Sequence, residues 1–234
     1  TDSATVTVGG NFTATTDANS GVINMGTMAV DGSFTLAPNS TGAVTIVNDA
    51  GLTLAASTMG GTFSGTATTG NITDSGALAI TGTTTLVTSA DDATIALDTN
   101  TNAFTGAVTI TTNDSSGTDA DVTIDGGTTA LIIAASTIDG DLTLTSGHAS
   151  GITDSGTVTV GGNLSATTDA NSGVIDLGTA AVTGTVALTT NGSGNATVDN
   201  GTLNLDLAAS NVGGNLTVTS GAAAGITDSA TVTV

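Results

Sequence analysis

Residues Val158–Ala180 read VTVGGNLSATTDANSGVIDLGTA, Ala181–Ser210 read AVTGTVALTTNGSGNATVDNGTLNLDLAAS, and Asn211–Thr231 read NVGGNLTVTSGAAAGITDSAT. All three open alike: an apolar residue, a short turn with glycine, an apolar residue, a polar one, then often another apolar one. Working outward, TDSATVTV stands at Thr1–Val8 and again at Thr227–Val234, with TDSGALAI from Thr73 and TDSGTVTV from Thr153 between them. The four phrases begin at nearly even intervals along the chain. Self-similarity on two scales marks a stack of similar units. The sequence divides into super-repeats 6–77, 78–157 and 158–231, and each divides again, the first at Ala29 and Thr58, the second at Asn102 and Thr137. The result is nine coils of about 20–35 residues, the length range of a solenoid repeat.

Within the coils apolar residues fall in period-two pairs such as Val44/Ile46, Ile95/Leu97, Leu142/Leu144, Val158/Val160 and Leu205/Leu207, with Thr, Ser, Asn or Asp between the partners. That is the pattern of strands with one buried face. A coil of this length with two or three short strands is the rung of a parallel β-solenoid, so an all-β fold of about nine rungs is expected. Phe12, Phe34, Phe63 and Leu164 begin the strand after the turn and are expected in the core. The longest coil, Asn102–Ser136, carries an insertion near 113–121 that should bulge outward as a loop. A row of Ig-like sandwiches is the rival fold. It fits poorly with a chain that has no Trp or Tyr and one Pro, and it has no place for the shorter repeat.

Composition narrows the function. There is no Lys or Arg, twenty acidic residues are all Asp, and the formal net charge is −20. Phosphate recognition needs cations, so nucleic acid is not an expected partner, and anionic membrane surfaces are disfavoured. No run approaches the roughly 18 apolar residues of a spanning helix, so no membrane insertion is expected in this segment. Trypsin-type proteases find nothing to cut, which suits an extracellular or cell-surface location. Any secretion signal is expected outside this segment.

Few residues suggest chemistry. The recurring Asp of the TDS phrase (Asp2, Asp74, Asp154, Asp228) is expected to form one column, once per three rungs, its carboxylate accepting backbone N–H bonds. Asp91 and Asp92, and Asp139 and Asp141, flank the insertion. Asp114, Asp119, Asp121 and Asp125 lie in and beside it, and hard oxygen ligands on a flexible loop suit calcium. Their spacing matches neither an EF-hand loop nor a calcium-binding nonapeptide. No other cofactor is expected. His148, the one histidine, reads as a turn or surface residue. Asn11, Asn39, Asn71, Asn113, Asn163, Asn191, Asn195 and Asn215 each precede x-Ser/Thr and are candidate glycosylation positions. Thr5/Thr7, Thr157/Thr159, Thr217/Thr219 and Thr231/Thr233 point outward, as they would in an ice-binding ladder, but these phrases skip rungs. With no nucleophile–base pair in view, the chain is not expected to be an enzyme.

The phrases GGNLSATT, GGNLTVTSG, GDLTLTSG and GITDSGTVTV resemble the β-strand repeats of very large bacterial surface and secreted proteins, the filamentous-haemagglutinin-like adhesins and autotransporter-type passengers. The resemblance implies a right-handed parallel β-helix, exported and displayed on or shed from the cell surface, and it transfers no catalytic residues. The function expected is therefore a structural segment of an extracellular fibre, sheath or surface filament, part of a longer repetitive protein, with end-to-end self-association. A calcium-responsive adhesin segment is the alternative, and an ice-binding or glycan-acting solenoid a more distant one.

Overall fold

Period-two stretches too short to bury a face alone must stack, and they do. The computed structural model describes residues 1–98, 102–116 and 119–234. Among these there is no helix, and so none long and apolar enough to cross a membrane. Among the described residues, thirty short strands form a 14-stranded, a 13-stranded and a 3-stranded sheet. Every neighbour pair is parallel and joins successive coils, for example Leu142↔Leu164↔Val186 in the 13-stranded sheet and Ile152↔Ile175↔Ala196 in the 14-stranded one. The fold is a β-solenoid, not a row of sandwiches.

Eleven strands succeed one another along the main path of each large sheet, so the chain makes about ten turns. Phrase boundaries count nine because they miss half-coils, which are located below. The step between coils is uneven: it is short from Val44 to its partner Phe63 and longest from Ile95 to its partner Val122. The longest step holds the insertion. Its length is absorbed outside the ladder, since a loop costs little extra entropy per added residue. Asn113, Ser115, Ser116, Asp119 and Asp121 there are exposed, and 117–118 lie outside the described residues.

Both large sheets feed one apolar cluster, which includes Phe34, Phe63, Phe104, Leu142, Leu164 and Val186. A coil is dry only between two neighbours. Val158 and Val160 of the middle TDSGTVTV are buried, whereas Val6, Val8 and Val232 of the same phrase in the outermost coils are half-buried and Val234 is exposed. Phe12, also in an outermost coil, is half-buried, its ring 5.8 Å from that of Phe34.

The half-coils arise at three Ala-Ala-Ser corners. The straight strands Ser33–Ala37, Val108–Asn113 and Thr185–Asn191 each underlie two short strands: Leu52–Leu54 with Ser57–Met59, Leu131–Ile133 with Ser136–Ile138, and Leu205–Leu207 with Ser210–Asn211. The corner lifts the backbone away from the strand below. A buried serine side chain replaces it. Ser57 Oγ accepts from Leu36 N–H (2.9 Å) and donates to Ala55 C=O (2.8 Å). Ser136 does the same between Ile110 (3.0 Å) and Ala134 (2.8 Å), and Ser210 between Leu188 (3.0 Å) and Ala208 (2.9 Å). Alanine stands beside these serines because the next coil lies close above. A Cβ at Gly76 or Gly156 would meet the backbone of Ala56 or Ala135 at 2.6 or 2.9 Å.

Each corner exchanges the duties of the sheets. The strand of the TDS phrase is in the 13-stranded sheet at Ile72–Asp74, in the 14-stranded sheet at Ile152–Asp154, and in the 13-stranded sheet again at Ile226–Asp228. The expected single column of Asp once per three rungs is therefore corrected. One super-repeat spans about three and a half coils, so equivalent residues alternate between opposite sheets.

Two stability tests follow from this packing. Replacing Ser136 by Ala leaves the buried Ile110 N–H and Ala134 C=O without their side-chain partner and is expected to destabilise by about 2 kcal/mol in urea unfolding. Loss of less than about 0.5 kcal/mol would mean that water substitutes freely at the corner. Thr84 is the opposite case. It is fully buried in the column Phe63↔Thr84↔Val108, and among the described residues its hydroxyl has no partner. Thr84→Val keeps the shape and removes the stranded polar group, so the urea midpoint should rise, by about 1 kcal/mol in stability.

Candidate functional site

Turn residues carry most of the polar chemistry, and coil geometry assigns their partners. In the turn before the long strands, Asp121 Oδ1 accepts from Asp141 N–H (2.8 Å), Asp141 Oδ1 from Asn163 N–H (2.6 Å), and Asn163 Oδ1 from Thr185 N–H (2.9 Å). This is a ladder of side chains running beside the backbone ladder. It has room because glycine precedes each donor; a Cβ at Gly162 would collide with the Asp141 carboxylate.

Three of the four TDS carboxylates, Asp2, Asp74 and Asp154, each clamp one coil to the next. Asp2 accepts from Gly26 N–H (2.8 Å), Thr27 N–H (2.7 Å) and Thr27 Oγ (2.6 Å). The Thr27 hydroxyl, then the Gly26 amide, hold its carboxyl down to about 2. Asp154 accepts from Thr179 N–H (2.7 Å) and its hydroxyl (2.8 Å). Asp74 is buried and receives Asn102 Nδ2 at 2.7 Å.

Buried asparagines finish what the serines begin. Asn48 turns its amide to the free edge of Val30, accepting its N–H (2.9 Å) and donating to its C=O (3.0 Å). Asn200 does the same to Val182 (2.7 and 3.0 Å). An amide side chain offers the same donor and acceptor as a peptide group, and it closes a strand edge that would otherwise pair with another chain. Neither the serines nor these asparagines stand out in the sequence taken alone. The signal is there in AAS, which recurs at 55–57, 134–136 and 208–210.

The densest group of carboxylates lies along the insertion, and it is only partly the group expected. Asp91 accepts from Asn113 Nδ2 (2.9 Å) and Ser115 Oγ (2.6 Å), and Asp139 accepts from Asp114 N–H (3.0 Å). Asp92 lies beside Asp114 and Asp119. Desolvation in this crowd, then the charges of Asp114, Asp119 and Asp91, raise its carboxyl above the ordinary 3.8. Asp121 and Asp125 have other tasks: Asp121 serves the turn ladder, and Asp125 accepts from Gly127 N–H (2.7 Å). The expected calcium set Asp114, Asp119, Asp121 and Asp125 is thus divided at the start of strand Val122–Asp125, which needs both ends of that strand for its turns. Among the described residues no three His, Cys, Asp or Glu come together as a metal group.

Other expected positions fall as follows. His148 is exposed, and its Nδ1 accepts from Ser150 N–H (3.0 Å), a turn role. All eight sequon asparagines are exposed, and several bridge coils: Asn11 Oδ1 accepts from Ser33 N–H, Asn71 Oδ1 from Thr94 N–H and Asn195 Oδ1 from Asn215 N–H. Outward threonines align only in short runs, such as Thr45–Ser64–Thr85–Thr109 by register, while Thr53–Thr73 continues into Ala96. Concavities are open grooves. One of 540 Å³ is lined by Thr167, Thr189, Asn191 and Asn211 with one carboxylate, Asp169, and one of 410 Å³ holds only Asp199. Neither offers the acid and base that carboxylate-pair hydrolysis requires.

This geometry defines a β-solenoid repeat protein in which many polar side chains hold coils together. The chain belongs to the family of repeats of unknown function (DUF5649), whose model matches residues 41–111, 119–189 and 193–234. Each matched segment contains one Ala-Ala-Ser corner. No curated protein and no solved structure matches the chain.

The crowded Asp92 gives a test. Its folded pKa is raised, so its charge costs stability above that raised value, and the cost vanishes as pH falls below about 3.8. Asp92 also holds a left-handed φ of 58°, which Asn adopts equally well. Asp92→Asn is expected to raise the thermal midpoint at pH 7 by more than it does at pH 3. Equal shifts at both pH values would leave only the backbone preference.

Proposed function

We propose that this chain is a structural segment of an extracellular fibre, sheath or surface filament, and that it acts mechanically rather than catalytically. The observation that carries this reading is the pair of parallel ladders, each eleven strands along its main path, reinforced between coils by Asp, Asn and Ser side chains. A solenoid contacts only its neighbours, so it lengthens without needing a larger core. Its surface has no Lys or Arg, which fits protease-rich surroundings and repels non-specific contact. The likeness of its phrases to haemagglutinin-like and autotransporter-type repeats supports the same surface role.

End-to-end joining of copies is part of this proposal. Negative-stain images of the concentrated protein are expected to contain coaxial fibres many times longer than one rod, itself about 48 Å from ten steps of strand spacing. Isolated rods at every concentration would overturn self-assembly.

A further inference from the structure

Folding turns a sparsely charged chain into a densely charged rod. Twenty Asp and no Lys or Arg lie on 234 residues. Fully extended, such a chain spaces its charges on the order of 40 Å apart. Ten coils stacked at about 4.8 Å give a rod of about 48 Å, and hence one carboxylate per roughly 2.4 Å of axis. Two unit charges in water repel with the thermal energy at about 7 Å. The rod lies well inside that distance and the unfolded chain well outside it. Duplex DNA, at one charge per about 1.7 Å, condenses a counterion layer for this reason.

The charges are placed where ions can reach them. Of the twenty Asp only Asp74 is buried. Asp17, Asp31, Asp49, Asp176 and Asp228 are exposed and lie on coils other than the one that carries the insertion. No Lys or Arg on the chain offsets them.

We propose that the solenoid is a linear polyanion that holds divalent cations as a diffuse layer along its whole length, without a discrete site, and that this layer forms only when the chain is folded. Spreading the net charge out to about 7 Å per unit leaves about seven charges on the rod, so the layer offsets about thirteen, the equivalent of about six divalent ions. Because the layer is lost on unfolding, divalent ions stabilise the fold by linkage. The proposal holds for a single rod and does not require rods to join.

The test is ion counting by elemental analysis after equilibration of the whole chain in millimolar MgCl₂ or CaCl₂ at low NaCl. Three or more ions per chain are expected, equal in number for magnesium and calcium, and falling steeply as NaCl is raised. The thermal midpoint should climb with either ion. The triple variant Asp17→Asn, Asp31→Asn, Asp176→Asn, drawn from separate coils, should lose about a quarter of the ions. The triple variant Asp91→Asn, Asp92→Asn, Asp119→Asn at the insertion should lose the same share. Two or fewer ions per chain would overturn the proposal. So would marked preference for calcium, or a loss confined to the insertion variant, since these mark a discrete site.

Discussion

Register between successive coils is the constraint on which everything else rests. Each apolar pair must fall on the pair below, because a slip of one residue turns the core side out. Leu142, Leu164 and Val186 meet in this way across three coils although the residues between them differ in kind. The ladder tolerates the short step from Val44 to Phe63 and the long one from Ile95 to Val122 in the same rod, because the surplus goes into the turns. What cannot vary is the parity of each strand, and that explains why apolar and polar residues alternate so regularly in a chain whose loops do not.

A backbone ladder can be interrupted only where something else supplies the missing donor or acceptor. Here the substitutes are small side chains that imitate a peptide group. Serine supplies one acceptor and one donor at the Ala-Ala-Ser corners, where the chain bends and the strand below continues straight. Asparagine supplies a full amide at Val30 and Val182, where a short ladder stops. Carboxylates take the corners where only donors are exposed, as Asp2 does over Gly26 and Thr27. The dominance of Ser, Thr, Asn and Asp is thus more than a solvent-facing preference. Many of these residues complete the hydrogen bonding of neighbouring coils.

The solenoid itself is legible from Val158–Thr231, because period two and glycine turns reflect local rules that each coil obeys alone. The core positions Phe34, Phe63 and Leu164 follow from the same rules, and all three are buried. The single column expected of the TDS aspartates fails because a repeat in sequence does not say how many turns it occupies. Thr73 and Thr153 look equivalent and lie in opposite sheets. The expected calcium set is divided for a related reason: nearness in sequence joins Asp114 to Asp125, whereas the fold joins Asp114 to Asp92 and Asp139, on neighbouring coils. Contacts with the next coil leave no mark in a single sequence until the step length is known.

The half-integer repeat has a physical basis. The two large sheets draw on the same small aliphatic residues, so either can host the strand after a glycine turn: Leu164–Asn171 in one, Phe63–Ala67 and Leu216–Thr219 in the other. A cross-section with unequal faces would forbid the exchange, since large residues would then meet the wrong wall. Near-equivalence removes that penalty and leaves only the corner itself to be satisfied, which a single serine does. The exchange then sets the outer surface. Features carried by one super-repeat return on the opposite side of the rod about 17 Å further on, from three and a half steps of strand spacing.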